Sequence, residues 1–185
     1  MRDTIDQMGG LTPGAIIETD RLALRPLTLD DAGWIAETSS RWDVAQNLAV
    51  VPVPNPALGV ELFILSVRVR ESRYGGAVRA VTLRETGEPI GLIAAPSKGD
   101  GSYGLGYWFA PTAWGQGYAT EAGQAMIDAV RANGAQSVHA GCFEGNDASQ
   151  RVLEKLGFDR TGHISAQFSM AHMKNRPHVD MELRV

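Results

Sequence analysis

Along the first third of the chain the spacing of apolar positions changes period twice. In "ETDRLALRPL" apolar and polar side chains alternate through Leu22, Leu24 and Leu27, which predicts a strand. Leu29, Ala32, Ile35 and Ala36 then recur at helical spacing. Thr28 followed three residues later by Asp31 has the form of a capping box, so a helix starts there. "VPVPNPALG" interrupts this pattern, and Asn55 and Pro56 stand as cap and first-turn residue of a second helix running to about Glu71. Leu58, Leu62, Phe63 and Leu65 are its expected buried side.

The middle of the chain reads as three antiparallel strands. "AVRAVTLRE" and "PIGLIAAPS" flank the turn "TGE", and "GDGS" leads into "YGLGYWFAP". Ala119, Ala122, Met126, Ile127 and Val130 line one side of a further helix that Gly134 can close. "SVHAGCF" is the next strand, "ASQRVLEKL" a short helix ended by Gly157, and "HVDMELRV" a terminal strand. The order βααβββαβαββ is an α+β layout on one mostly antiparallel sheet flanked by helices. Neither an internal repeat nor a low-complexity segment interrupts it.

Composition narrows the function classes. At 185 residues, 44% hydrophobic and 21% charged, the chain is expected to form a single domain over 1–185, with a loose N-terminus over 1–14. A net charge of -4 argues against a nucleic-acid partner. Arg68, Arg70 and Arg73 read as a solvated helix face. Cys142 stands alone, which rules out an intramolecular disulfide framework, suits a reducing cytoplasm, and reads as a small core residue. No apolar run reaches the length of a membrane span, and "MRDTIDQMGGLTPG" has no apolar leader core, so a cytoplasmic protein without membrane contact is expected. His139, His163, His172 and His178 show no metal-ligand spacing, and no metal site is expected. Trp34, Trp42 and Trp108 read as core or pocket-wall aromatics, and Asp180 and Glu182 as the outward face of the last strand.

The candidate chemistry sits in "WGQGYAT". A helix starting near Ala119 leaves its first N–H groups without partners, and Gly115 and Gly117 let the backbone before it curl around an anion. Two familiar phosphate loops are excluded. No Lys-Ser or Lys-Thr follows Gly117, so this is not a Walker A loop, and Thr120 stands in place of the third glycine of a dinucleotide fingerprint.

Three stretches, "ETDRLALRPLTLDDA", "GYWFAPTAWGQGYATEA" and "NDASQRVLEKLGF", together resemble the ordered motifs of the GNAT acetyltransferases, specifically their RimJ/RimL-like branch. The resemblance runs from Glu18 to Val185 and implies acetyl-CoA as cosubstrate and an amine as acceptor. The family's pyrophosphate loop is Arg or Gln, two arbitrary residues, Gly, one more residue, then Gly or Ala. It falls on Trp114, Gly117 and Ala119, with Trp114 a departure from Arg or Gln. Backbone amides of this bend, over Trp114, Gly115, Gln116, Gly117, Tyr118, Ala119 and Thr120, are then expected to hold the phosphates. The preceding strand resembles the family's splayed central strand, with backbone at Trp108, Phe109 and Ala110 free for the pantetheine arm. Asn146 resembles the residue that holds that arm from the other side, with Ser149 beside it.

The same resemblance frames the catalytic groups. A backbone N–H near Phe109 is the expected stabiliser of the thioester oxygen. Many relatives carry Tyr where Leu153 stands; Ser149, one helical turn earlier on the same side, is the candidate proton donor, the alternative being a polar first-turn residue. Relatives often carry Glu at the position of Gly104. Glu144, or a water near it, is the candidate base, the alternative being a surface residue at a strand end. The missing carboxylate favours a weakly basic acceptor, such as a protein N-terminal α-amine or a small-molecule amine. The expected function is acetyl-CoA-dependent N-acetyl transfer; the alternative is a non-catalytic acyl-CoA-binding protein of the same fold. "LAVVPVPNP" and "ISAQFSMAHMKNRP" are expected to be acceptor-choosing loops, and a homodimer is compatible with such a chain.

Overall fold

In the computed structural model, which describes residues 11, 12 and 14–185, the first strand's alternation separates two cores. β1 (Ile17–Glu18) pairs with β2 (Leu22–Pro26), and Leu22 and Leu24 are fully buried on one face. Leu27 lies beyond the strand and enters the opposite core, with Ile35, Val60, Ile64, Ala80 and Leu92. The expected loose N-terminus lies mostly outside the described residues, but Leu11 is buried against the first core.

A 3₁₀ turn (Leu29–Asp31) leads into α1 (Ala32–Ser40), and α2 (Trp42–Ala45) and α3 (Ala57–Tyr74) follow. β3 (Gly76–Leu83) and β4 (Pro89–Pro96) form a hairpin, then come β5 (Ser102–Gly104), β6 (Gly106–Phe109) and a 3₁₀ turn (Pro111–Ala113). α4 (Tyr118–Ala132), β7 (Ser137–Phe143), α5 (Asp147–Lys155), β8 (Asp159–Ser169) and β9 (Lys174–Arg184) complete the chain. The expected α+β class holds, with antiparallel pairing throughout except between β5 and β7. The single expected sheet is instead two, ordered β1-β2-β3-β4-β6 and β5-β7-β9-β8. Residues 102–109 run through both.

Two sequence expectations are corrected. α3 buries Val60, Ile64 and Val67, and leaves Leu58, Leu62, Phe63 and Leu65 exposed. Both stripes are apolar, so hydrophobicity alone does not choose between them. The choice is fixed by Glu71, on the same stripe as Val67, whose carboxylate pairs at 2.8 Å with Arg79, a β3 residue only 1% exposed. Facing the other way would strand that guanidinium in the core. The second correction concerns "ISAQFSMAHMKNRP", which is no loop but most of the β8–β9 hairpin, with Ala166 opposite Pro177 and Ser169 opposite Lys174.

The expected capping box forms. Asp31 accepts from the Thr28 N–H at 2.7 Å, from the Trp34 indole at 2.9 Å, and from both Arg25 nitrogens at 2.8 and 2.7 Å. Burial pushes this carboxyl up, but the Arg25, Thr28 and Trp34 hydrogen bonds outweigh it and hold the pKa at about 2. A depressed folded-state pKa means stability that is present above the unfolded value and lost as pH falls. Asp31→Asn should therefore cost on the order of 2 kcal/mol at neutral pH, and chemical denaturation should show the difference from wild type shrinking between about pH 4 and about pH 2.

Candidate functional site

Residues 102–104 pair in parallel with β7, and the last bond of that ladder runs from the Leu105 N–H to the His139 carbonyl at 2.8 Å. From Gly106 onward the strand pairs only with β4. β6 and the second half of β7 therefore diverge, and a cavity of about 630 Å³ opens between them, walled by Tyr107, Trp108, Phe109, Gly141, Cys142 and Phe143. On the α4 face it reaches Gly115, Gly117, Tyr118, Ala119 and Thr120, though not the expected Gln116, and, at the cap and along α5, Asn146, Ser149, Arg151 and Lys155. On the α1 face it reaches Asp43, the segment from Gln46 to Ala49, and His178.

The bend before α4 has the geometry of an anion cradle. Gly115 and Gly117 take φ of +75° and +81°, a left-handed backbone that disfavours any side chain. The first helical bond of α4 runs from the Glu121 N–H to the Gly117 carbonyl. Among the described residues, none of the N–H groups of 115–120 donates to a protein acceptor, and no side chain caps the helix. Those donors and the helix dipole converge on the cavity. Arg21, absent from the sequence reading, braces the bend: it donates to the Gln116 carbonyl at 3.0 Å, pairs with Glu121 at 2.6 Å, and lies 4.5 Å from the Tyr118 ring centre. Burial raises the Glu121 carboxyl, but hydrogen bonds from Thr19 and Arg21 bring it below the usual range. Its charge near the anion site is thereby balanced.

The register of β6 narrows the expected contacts of Trp108, Phe109 and Ala110. The Ala110 N–H is spent on the Ile90 carbonyl at 2.8 Å. Antiparallel alternation then turns the Trp108 groups towards Leu92 and the Phe109 groups away from β4. The Phe109 carbonyl accepts the Trp114 indole N–H at 2.8 Å, leaving the Phe109 N–H without a protein acceptor among the described residues. Trp114 thus works through its side chain on β6, besides lining the cavity.

Asn146 caps α5, its Oδ1 accepting from the Ser149 N–H at 3.2 Å, and both residues line the cavity. The Tyr107 hydroxyl reaches Ser149, 3.2 Å from its carbonyl oxygen and 3.1 Å from Oγ. Burial pushes the Tyr107 phenol up to about 12, against the lowering effect of the Ser149 hydrogen bond, so it stays protonated. The phenol that Leu153 does not supply thus arrives from β6, while Leu153 is buried in the core. Cys142 is buried as expected but also borders the cavity, its thiol pushed up by burial. Trp108 lines the cavity against Trp34 with ring centres 5.6 Å apart, whereas Trp42 is half-exposed and stacks on His172.

Glu144 does not reach this site. It is exposed past the end of β7, held by its N–H on the Pro177 carbonyl at 3.0 Å, and it is not a wall residue. Asp180, expected to face outward, is partly exposed and accepts from His163 at 2.7 Å, His178 at 2.9 Å and Ser165 at 3.1 Å. No local pattern marks Arg21 or Tyr107, whose partners lie 95 and 42 residues along the chain. For His178 the visible sign is the alternation that puts it on one face of β9 with Asp180, two residues on.

Residues 21–159 match the profile of the GNAT acetyltransferase domain. N-acetyltransferase YoaA of Bacillus subtilis strain 168, itself uncharacterized, is 28% identical over 151 residues, covering 80% of this chain and 84% of YoaA. Among solved structures, a GNAT-family acetyltransferase from Bacillus anthracis superposes with a TM-score of 0.79 at 22% identity, over 92% of this chain and 98% of the other. RimL, a ribosomal L7/L12 α-N-protein acetyltransferase solved with coenzyme A, superposes with a TM-score of 0.80 at 16% identity, over 92% and 98%. These structural likenesses are likenesses of fold.

Gly117→Val places a β-branched residue at φ +81° in the cradle, where, among the described residues, a Cβ would meet the Arg21 guanidinium at 3.6 Å. Coenzyme A affinity, read by calorimetry, should fall about tenfold or more, with the circular dichroism spectrum native-like. Unchanged affinity would mean that the phosphates bind elsewhere.

Proposed function

The chain belongs to the GNAT acetyltransferase family and is an acetyl-CoA-dependent acyltransferase, and on that premise we propose that its acceptor is a weakly basic primary amine, the α-amine of a peptide N-terminus or a small-molecule amine of similar basicity. The observation that carries this reading is the cavity itself, whose walls beyond the anion cradle hold a single carboxylate among the described residues, Asp43, already paired with Arg41, so no free carboxylate is at hand to deprotonate a strongly basic amine. Asp43 accepts from Arg41 at 3.1 and 2.8 Å, which keeps its carboxyl below the usual range and balances its charge.

Acetyl-CoA, when bound, supplies an acetyl group activated as a thioester. The N–H groups of the bend and of the first turn of α4 hold its phosphates. Arg151 and Lys155 add positive charge on the same side. The free N–H of Phe109 is positioned to donate to the thioester oxygen, where negative charge develops. Ser149 holds a proton at Oγ for the departing sulfur. When the Tyr107 phenol donates to Oγ, the serine's own proton is released to point elsewhere, and the high phenol pKa keeps that donor in place. This protonated pair argues against the binding-only alternative, which has no use for it.

Only a neutral amine attacks. At pH 7 an α-amine of pKa ~8 is about one-tenth neutral, whereas a lysine near 10.4 is neutral in well under one part in a thousand. In matched peptides, an α-amine should therefore show kcat/KM at least about tenfold above that of a lysine side chain with the N-terminus blocked, by thiol release from acetyl-CoA. Equal rates would remove the weakly basic acceptor from this account, and no thiol release with any amine would favour the binding-only alternative.

A further inference from the structure

We infer that His178, oriented by Asp180, is the general base that takes the proton from the attacking amine. The inference rests on the amine-acetylating function proposed above and names a group for the step that Glu144 does not reach. His178 lines the cavity from the face opposite the cofactor cradle, the face that also carries Asp43 and Trp108. Its Nδ1 lies 2.9 Å from Asp180 Oδ1. A carboxylate only accepts, so Nδ1 carries the hydrogen and Nε2 carries the lone pair. Nε2 has no protein partner among the described residues. Asp180 is in turn held by His163 and Ser165, and these bonds keep it ionised against the raising effect of burial.

The surroundings fix the ring. A Cβ at Gly141 would lie 2.3 Å from His178 Cε1 and 2.5 Å from the Val179 carbonyl, so only glycine on β7 lets the imidazole lie across that strand. Phe143 packs edge-on against it, ring centres 5.7 Å apart, with the Arg176 guanidinium on the Phe143 ring. The charged and titratable groups around the imidazole are Asp180 and Arg176 on β9 and His163 on β8, with Asp43 of α2, paired with Arg41, elsewhere on the same cavity wall. As the nitrogen forms its bond to the acetyl carbon, its surplus proton passes to Nε2, and Asp180 stabilises the imidazolium. An imidazole is far closer in basicity to an α-amine than to lysine, which matches base to acceptor.

His178→Gln keeps a donor for Asp180 and removes the base. It should lower kcat about 100-fold or more at neutral pH and abolish the acid limb of the kcat/KM profile, with coenzyme A affinity by calorimetry unchanged. Asp180→Asn should lower kcat less than His178→Gln does, with the KM for the amine and the coenzyme A affinity unchanged. A His178→Gln enzyme with wild-type rate and profile, or a large loss confined to Glu144→Gln, overturns the assignment while leaving the acetyl transfer standing. A wild-type protein inert with every amine overturns both.

A separate observation concerns α3. Leu58, Leu62, Leu65 and Val69 are 66, 61, 46 and 64% exposed and follow the four-three-four spacing of a coiled-coil seam, on the side directly opposite Val60, Ile64 and Val67. The geometry points to a second copy of this chain as its cover, with the two α3 helices antiparallel about a two-fold axis near Leu62 and Leu65. That arrangement sets Leu62 against Leu65 of the partner subunit and Glu61 against Arg68 of the partner subunit, each contact made twice, with Arg68 exchanging its 3.3 Å bond to the Leu27 carbonyl for the carboxylate. A parallel pair would bring Arg68 beside Arg73 of the partner subunit, like charge on like. Sedimentation should show a concentration-dependent dimer that Leu62→Glu and Glu61→Arg each weaken at least about tenfold, and that Glu61→Arg with Arg68→Glu restores. A wild-type monomer at high micromolar concentration, or a dimer indifferent to Glu61→Arg, would overturn this pairing.

Discussion

The bond from Leu105 to the His139 carbonyl is the point on which the site turns. Before it, one stretch of chain serves as a strand of the β7 sheet; after it, the same stretch belongs to the β4 sheet. Two strand edges are thereby left facing each other without a shared ladder, and buried backbone groups that lack partners are costly. The protein covers one of them with the Trp114 indole on the Phe109 carbonyl. The rest are available to a ligand whose own amides complete the ladder. The cavity is a consequence of how the strand is divided rather than of any missing side chain.

Positive charge is concentrated at one end of this cavity. The α4 face combines a helix N-terminus with Arg151 and Lys155, while on the α1 face the Asp43 carboxylate is already paired with Arg41. An anionic ligand is drawn to the first side. Glu121 sits on the cationic side only because Arg21 and Thr19 neutralise and bind it.

What was legible in the sequence was what is local. The capping box at Thr28, the alternation of β2, the glycine bend and the helix after it all depend on neighbours within a few residues, and each forms where expected. The buried stripe of α3 does not follow from periodicity because both of its stripes are apolar, and the choice is made by Glu71 meeting Arg79 across the turn into β3. In "ISAQFSMAHMKNRP" the strand signal is the alternation of Ile164, Ala166 and Phe168 with polar neighbours, and its apolar side joins no core, Ile164 and Phe168 staying exposed, so only the pairing with β9 makes it a strand. Within the site, the bend could be read directly. Tyr107 meets Ser149 across 42 residues and Arg21 meets Gln116 across 95, and no spacing rule reaches so far.

Because the cavity opens on both faces of the divided sheet, its two substrates need not displace one another. For the amine acceptor proposed above, the corresponding route is direct transfer within a ternary complex, with no acylated form of the protein between two half-reactions. It also follows that a single molecule joining a coenzyme A thioether to a peptide N-terminus would fill both halves at once. Such a conjugate loses its translational freedom once where the separate substrates lose it twice, so its affinity should exceed either alone by the effective concentration that the short link imposes.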